Sequence, residues 1–201
     1  MAEGGSWLQI KKHGLLSTAA LLDLYEVSST DRIVLEEMQR PNKIVLTHPT
    51  HGTCTLRDQS PMPEDRLRMC LPKSLSPRTW YRLLNSKVFF WASRDRLNRL
   101  LRARHYRANL HDVLVIDTAK LLNDFANKIH LCRMNSGNTF PIPHLRDKGI
   151  FKRIEEYPTS KSGLPRPPIA EVVVDLGIQN MERYVVDVRS MRAGEDCGSI
   201  L

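Results

Sequence analysis

No stretch of the 201 residues approaches the roughly 18 consecutive apolar residues that a membrane-spanning helix needs, and Met1 to Trp7 has no apolar run like a secretion signal. A soluble, cytoplasmic protein is expected. Cysteine is scarce and scattered. Cys54, Cys70, Cys132 and Cys197 form no C-x-x-C pair, which argues against both a zinc framework and a disulfide scaffold. Free, buried thiols are expected instead. Internal repeats and low-complexity tracts are also missing, so the chain is neither a solenoid nor a flexible linker. An apolar share of 41% still supports a sizeable core. A globule of this length buries roughly 70% of its unfolded surface, so no staple is required.

What the sequence does have is positive charge. Thirty Lys and Arg against 22 Asp and Glu leave a net charge of +8, which suits a polyanionic partner such as nucleic acid or a nucleotide. The densest run holds Arg94, Arg96, Arg99, Arg102, Arg104 and Arg107. Arg96, Arg99 and Arg102, with Lys11 and Lys12, form the best candidate nucleic-acid surface. A solvated helix face is the simpler account of the same run.

The local pattern predicts helices first. Ser6 is placed to cap a short helix through Lys12, with Gly14 as its stop, and Ser17 to cap a second from Thr18 to Glu26. A third runs from Asp31 to Gln39. Strands at 43–47 and 53–56 flank a Pro and Gly turn, which predicts a hairpin. Helices follow at 64–71 and 77–85, the second with Ser76 as cap and Pro77 at its first position. A compact apolar strand, 87–91, leads into a helix capped by Ser93, with Leu97, Leu100 and Leu101 inward. Further elements are a strand at 113–116, a helix at 119–127 and a strand at 129–132. From Asn135 to Pro168 the periodicity fails, apart from a helical hint at 150–155. A loop this long is usually functional or disordered. Strands return at 171–176 and 184–188, and residues 191–201 read as a flexible tail. The order lacks regular βα alternation, so residues 1–190 are expected to form one α+β domain.

Several side chains could carry chemistry. Glu171 opens a late strand, where a carboxylate can serve as a catalytic group or simply be an exposed charge on a sheet edge. Arg57, in Arg57-Asp58-Gln59, suits bidentate binding of a phosphate, or a surface ion pair within a turn. Asn135-Ser136-Gly137-Asn138 is a polar turn able to contact a ligand. His48 and His51 lie three apart around a turn, without the further ligands a zinc ion requires, so no metal is expected. His105 and His111 could act as acid or base, but the sequence shows no partner for either.

The runs A-E-G-G-S-W-L-Q-I-K-K-H-G-L-L-S-T, L-T-H-P-T-H-G-T-C-T-L-R-D-Q, K-V-F-F-W-A-S and H-D-V-L-V-I-D resemble an uncharacterised bacterial family of unknown function, over about Ala2 to Asp175. A more distant resemblance is to the ADP-ribosyltransferase fold of DNA-modifying toxins. It rests on Ile10-Lys11-Lys12-His13-Gly14-Leu15, on Val88-Phe89-Phe90-Trp91 followed by Ser93, and on Ile169-Ala170-Glu171-Val172-Val173-Val174. It implies a split, mostly antiparallel sheet behind the N-terminal helices, with NAD as the substrate that is consumed. It further implies Glu171 as the catalytic carboxylate, and cofactor contacts from His13, Ser17, Arg57, Phe90 or Trp91, and Asn135. The chain departs from that pattern at two points. The fold's strand histidine would precede Met1, so either the start is placed too late or the chain has lost that group, and the middle tyrosine is absent, with Phe90 or Trp91 as aromatic stand-ins. The alternative is a non-catalytic module that binds nucleic acid or a nucleotide.

Overall fold

Serine caps decide where several helices begin. The Ser17 Oγ accepts the Ala20 N–H at 3.2 Å, Ser76 the Thr79 N–H at 3.1 Å, and Ser93 the Arg96 N–H at 3.4 Å. Each satisfies a donor that the first helical turn leaves open. The structure, a computed structural model, describes all residues 1–201. Its first half runs β1 (Ala2–Glu3), α1 (Trp7–His13), β2 (Leu15–Leu16), α2 (Thr18–Leu24), α3 (Ser29–Glu37), β3 (Ile44–His48) and β4 (Gly52–Leu56). Then come α4 (Glu64–Arg68), α5 (Pro77–Asn85), β5 (Lys87–Trp91), α6 (Arg94–Leu101), β6 (His111–Ile116) and α7 (Thr118–Phe125). The remaining strands, set among short 3-10 turns and a long loop, are β7 (Ile129–Cys132), β8 (Lys152–Arg153), β9 (Glu171–Asp175), β10 (Gly177–Ile178), β11 (Val185–Arg192) and β12 (Glu195–Ser199).

The strands form two four-stranded sheets, ordered β1-β6-β11-β12 and β5-β9-β7-β8, with two-stranded pairs β2-β10 and β3-β4. Every pairing is antiparallel. This is one α+β domain with a split antiparallel sheet. The second sheet is buried on both faces. Ile129, Leu131, Val172 and Val174 pack with Trp7, Ile10 and Val188 into the larger core. Cys132 and Val173 face the other way, against Met62, Leu67, Trp80 and Tyr81. Helix α6 covers the outer face of the first sheet by packing Leu97 and Leu101 on Val113 and Met191.

Four expectations need correction. Ser6 makes no side-chain cap; the carboxylate of Asp112, on β6, accepts the Trp7 N–H at 2.8 Å and the Gly5 N–H at 3.1 Å instead. The α1 N-terminus is thus capped by a residue more than a hundred positions away, which no local pattern could reveal. Residues 191–201 are not a flexible tail. β12 pairs back on β11 through Ala193 and Gly194, both at positive φ as a tight hairpin turn requires, and Arg189 Nε grips Asp196 at 2.9 and 3.1 Å. Of the four free thiols, Cys70 and Cys132 are buried, but Cys54 is only half-buried and Cys197 is exposed. Helix α2 also stops at Leu24, short of Glu26, because Glu26 takes a left-handed φ of 52°.

Gly14 ends α1 as expected, its N–H donating to Ile10 O at 2.8 Å with φ 89°. A Cβ there would come within 2.6 Å of Ile178 O on β10. Only glycine lets β2 meet β10 so closely. Because the Ser17 cap holds the next helix, Ser17→Ala is expected to lower stability by about 1 kcal/mol, read from the denaturant midpoint.

Candidate active site

Glu171 is the first residue of β9, an inner strand of its sheet. It pairs with Trp91 on β5 and with Cys132 on β7. Directly opposed residues of an antiparallel sheet project from the same face. The carboxylate and the Trp91 ring are therefore neighbours, while Phe90, one residue earlier, turns to the larger core with Val172. The register thus separates the two candidate rings: Trp91 accompanies Glu171, and Phe90 does not. Nor is Glu171 an exposed edge charge, since it is 4% exposed.

The Ser136 N–H donates to both Glu171 oxygens at 3.2 Å, and it is the carboxylate's one backbone donor. Burial penalises the charged form and pushes the carboxyl up to about 7; the Ser136 hydrogen bonding and the positive charges of Arg96 and Arg146 pull in the opposite direction. A group balanced near neutrality can hold or release a proton at working pH, as an acid–base catalyst must.

Glu171 opens into a cleft of about 630 Å³ between the two sheets, within the range of cofactor pockets. His13, Ser17, Arg57, Phe90, Trp91 and Asn135 all line it. Their availability differs. The Ser17 hydroxyl is taken up by its cap, and the Asn135 Oδ1 accepts the Gly137 N–H at 3.1 Å within the polar turn. The His13 ring meets His51 edge-on at 5.0 Å, and its Nε2 is buried without a hydrogen-bond partner.

Arg57 is the best-positioned cation of the cleft. Its guanidinium stacks 5.1 Å from the Tyr106 ring centre and lies 3.8 Å from Glu3. His111 is fully buried, with Nε2 3.0 Å from Tyr106 O. A carbonyl only accepts, so Nε2 carries the proton and Nδ1 is left to accept from Arg57 Nη1 at 3.3 Å. Burial lowers the His111 pKa, keeping this neutral arrangement. Tyr106 in turn donates to Asp58 at 3.1 Å. Arg57 pairs with Glu3 and not with its neighbour Asp58, so it is more than half of a surface turn. Guanidinium geometry suits a phosphate oxygen pair.

A family model described as a family of unknown function (DUF7002) matches residues 1–185. The chain belongs to that family. No curated protein and no solved structure matches it significantly.

Arg96, Arg99 and Arg102 do not line the cleft. They lie on and just beyond α6, half-buried to exposed, and none is ion-paired; Arg96 alone reaches the field of Glu171. His48 and His51 are stacked at 4.6 Å, and the His48 Nδ1 accepts the N–H groups of Thr50 and His51. No group of three or more metal-ligating side chains converges anywhere. Sequence reasoning missed two participants, Tyr106 as the platform of Arg57 and Arg146 behind Ser136. Both act through partners distant in the chain. No helix is long and apolar enough to cross a membrane.

Proposed function

We propose that this chain is an NAD-consuming transferase of the ADP-ribosyltransferase kind. The observation that carries the reading is a buried, proton-balanced carboxylate at Glu171, held beside the Trp91 ring in a cleft of cofactor size. The bond between the ribose C1′ and the nicotinamide nitrogen breaks, and nicotinamide leaves neutral with the bonding pair. Positive charge develops on the ribose, and the ionised Glu171 stabilises it. The acceptor then bonds to C1′ and gives up a proton, which Glu171 can take. Trp91 stacks on the nicotinamide ring and Arg57 holds the pyrophosphate.

The test is incubation of the chain with NAD labelled in its adenylate half, offering oligonucleotides and protein as acceptors. Free nicotinamide and label on one acceptor are expected. An intact NAD pool, together with no measurable NAD binding, rejects the reading.

One observation favours a second reading, a non-catalytic nucleic-acid module. Arg96, Arg99 and Arg102 fall in the chain's densest arginine run and make no ion pair, which leaves their charge available to a polyanion. That module would keep binding oligonucleotide after Glu171→Gln and lose it when the three arginines are neutralised.

A further inference from the structure

Ser136 has a second charged neighbour. Its N–H holds Glu171, and its carbonyl accepts from Arg146 Nη1 at 2.9 Å. Arg146 is 3% exposed, yet it makes no direct ion pair, and Glu171 on the far side of Ser136 is the carboxylate whose charge reaches it. Its other donors go to carbonyls, Nη2 to Asn138 O at 3.0 Å and Nε to His144 O at 3.1 Å. A buried guanidinium cannot shed its proton at working pH, so the charge stays, offset only in part by Glu171 across Ser136, at a substantial desolvation penalty. Burial accordingly pushes its pKa down.

Arg146 also lines a second groove of about 610 Å³, built by the end of β7 and the loop after it and separate from the Glu171 cleft in its lining. Arg133 and Lys152 line the same groove, both exposed and neither ion-paired. Asp147 is its one carboxylate, and the Asp147 Oδ1 accepts the Gly149 N–H at 2.8 Å without reaching a cation. Three cations against one carboxylate leave two positive charges facing a concave groove open to solvent. A phosphate ester would supply the missing negative charge and present oxygens to the two exposed cations.

We propose that this groove binds a phosphate ester, with Arg133 and Lys152 as its direct contacts and the buried charge of Arg146 beneath it. The ester comes from a small phosphorylated molecule or from the backbone of a polynucleotide. The site stands on its own geometry and does not depend on the NAD reading.

The intact chain is tested with two probes, inorganic phosphate read by thermal shift against chloride at equal ionic strength, and a fluorescent single-stranded oligonucleotide read by anisotropy. Arg133→Glu combined with Lys152→Glu changes only exposed side chains, so the fold should persist, which the melting curve without ligand checks. Lys128→Glu with Arg192→Glu is the charge-matched control, since both are exposed and lie outside the groove, the cleft and α6. The groove variant should lose affinity by about tenfold or more while the control keeps it, and the oligonucleotide salt slope should fall by about 0.7 for each phosphate contact removed. Competition of the oligonucleotide by inorganic phosphate assigns the small-molecule source; loss in the groove variant without competition assigns the polynucleotide. Binding of neither probe, binding that survives the groove variant, or equal loss in the control variant overturns the proposal.

Discussion

Replacing Glu171 with Gln is expected to lower NAD turnover by about 10²- to 10⁴-fold while leaving NAD affinity within a few-fold of the parent. The amide keeps the volume and can still accept the Ser136 N–H, so the β5-β9-β7 register has no reason to change. Under the proposed function, what disappears is the negative charge that would stabilise the developing ribose cation and the base that would accept a proton from the attacking group. Those act in the transition state, so the loss belongs to kcat and not to KM. In the parent, turnover should also rise with pH through about 7, because the carboxyl must ionise to act. Single-turnover nicotinamide release across pH measures both. Equal turnover in parent and variant would remove Glu171 from the chemistry while leaving the cleft as a binding site.

The second large effect is on stability. The Glu171 carboxyl titrates near 4.5 in the unfolded chain and near 7 when folded. A folded value above the unfolded one means that the protonated form fits the fold better. The contribution of this group is therefore full below about pH 4.5, declines as pH rises through 7, and is flat above that. At about 1.36 kcal/mol per unit, the difference is on the order of 3 kcal/mol. Glu171→Gln should remove this dependence and be more stable than the parent at about pH 8, by up to that amount, with little difference at about pH 4. Urea midpoints of both chains over that range test it. A parent that gains no stability relative to the variant on acidification would contradict the burial argument. The same substitution thus separates two roles: it should depress turnover and raise stability, as a destabilised functional group does.

Much of the framework was legible in the sequence because its signals are local. Ser17, Ser76 and Ser93 each precede an apolar-periodic run, and each caps the expected helix. The strands at Lys87–Trp91 and Ile129–Cys132 match their expected bounds, since a short apolar run between turn residues has few other uses. The five strands of two to five residues that escaped detection are held by partners. β1, β2, β8 and β10 are too short to show any alternation, and β12 is polar, with Ala193-Gly194 an uncommon turn pair. The long stretch 135–168 has little regular structure, yet Arg146, Phe151 and Tyr157 anchor it from within.

For the candidate site, the residue types were visible but their geometry was not. A strand-opening Glu171 and a Trp91 in a separate strand can be read from the chain. Their opposition across β5 and β9, which also turns Phe90 away, follows only from the register. The same holds for the Ser136 N–H on Glu171, and for the bracket of Tyr106, His111 and Glu3 around Arg57.

By itself the sequence determined which segments coil or extend, where most helices start, and that the chain packs into one α+β domain. Those depend on residues within a few positions of one another. Tertiary structure alone decided that Glu171 is buried near neutrality, that Asp112 caps α1, and that Arg146 lies in the interior without a direct ion pair. Burial and charge pairing depend on groups brought together through space, and a carboxylate or guanidinium has the same formula whether it meets water or the core.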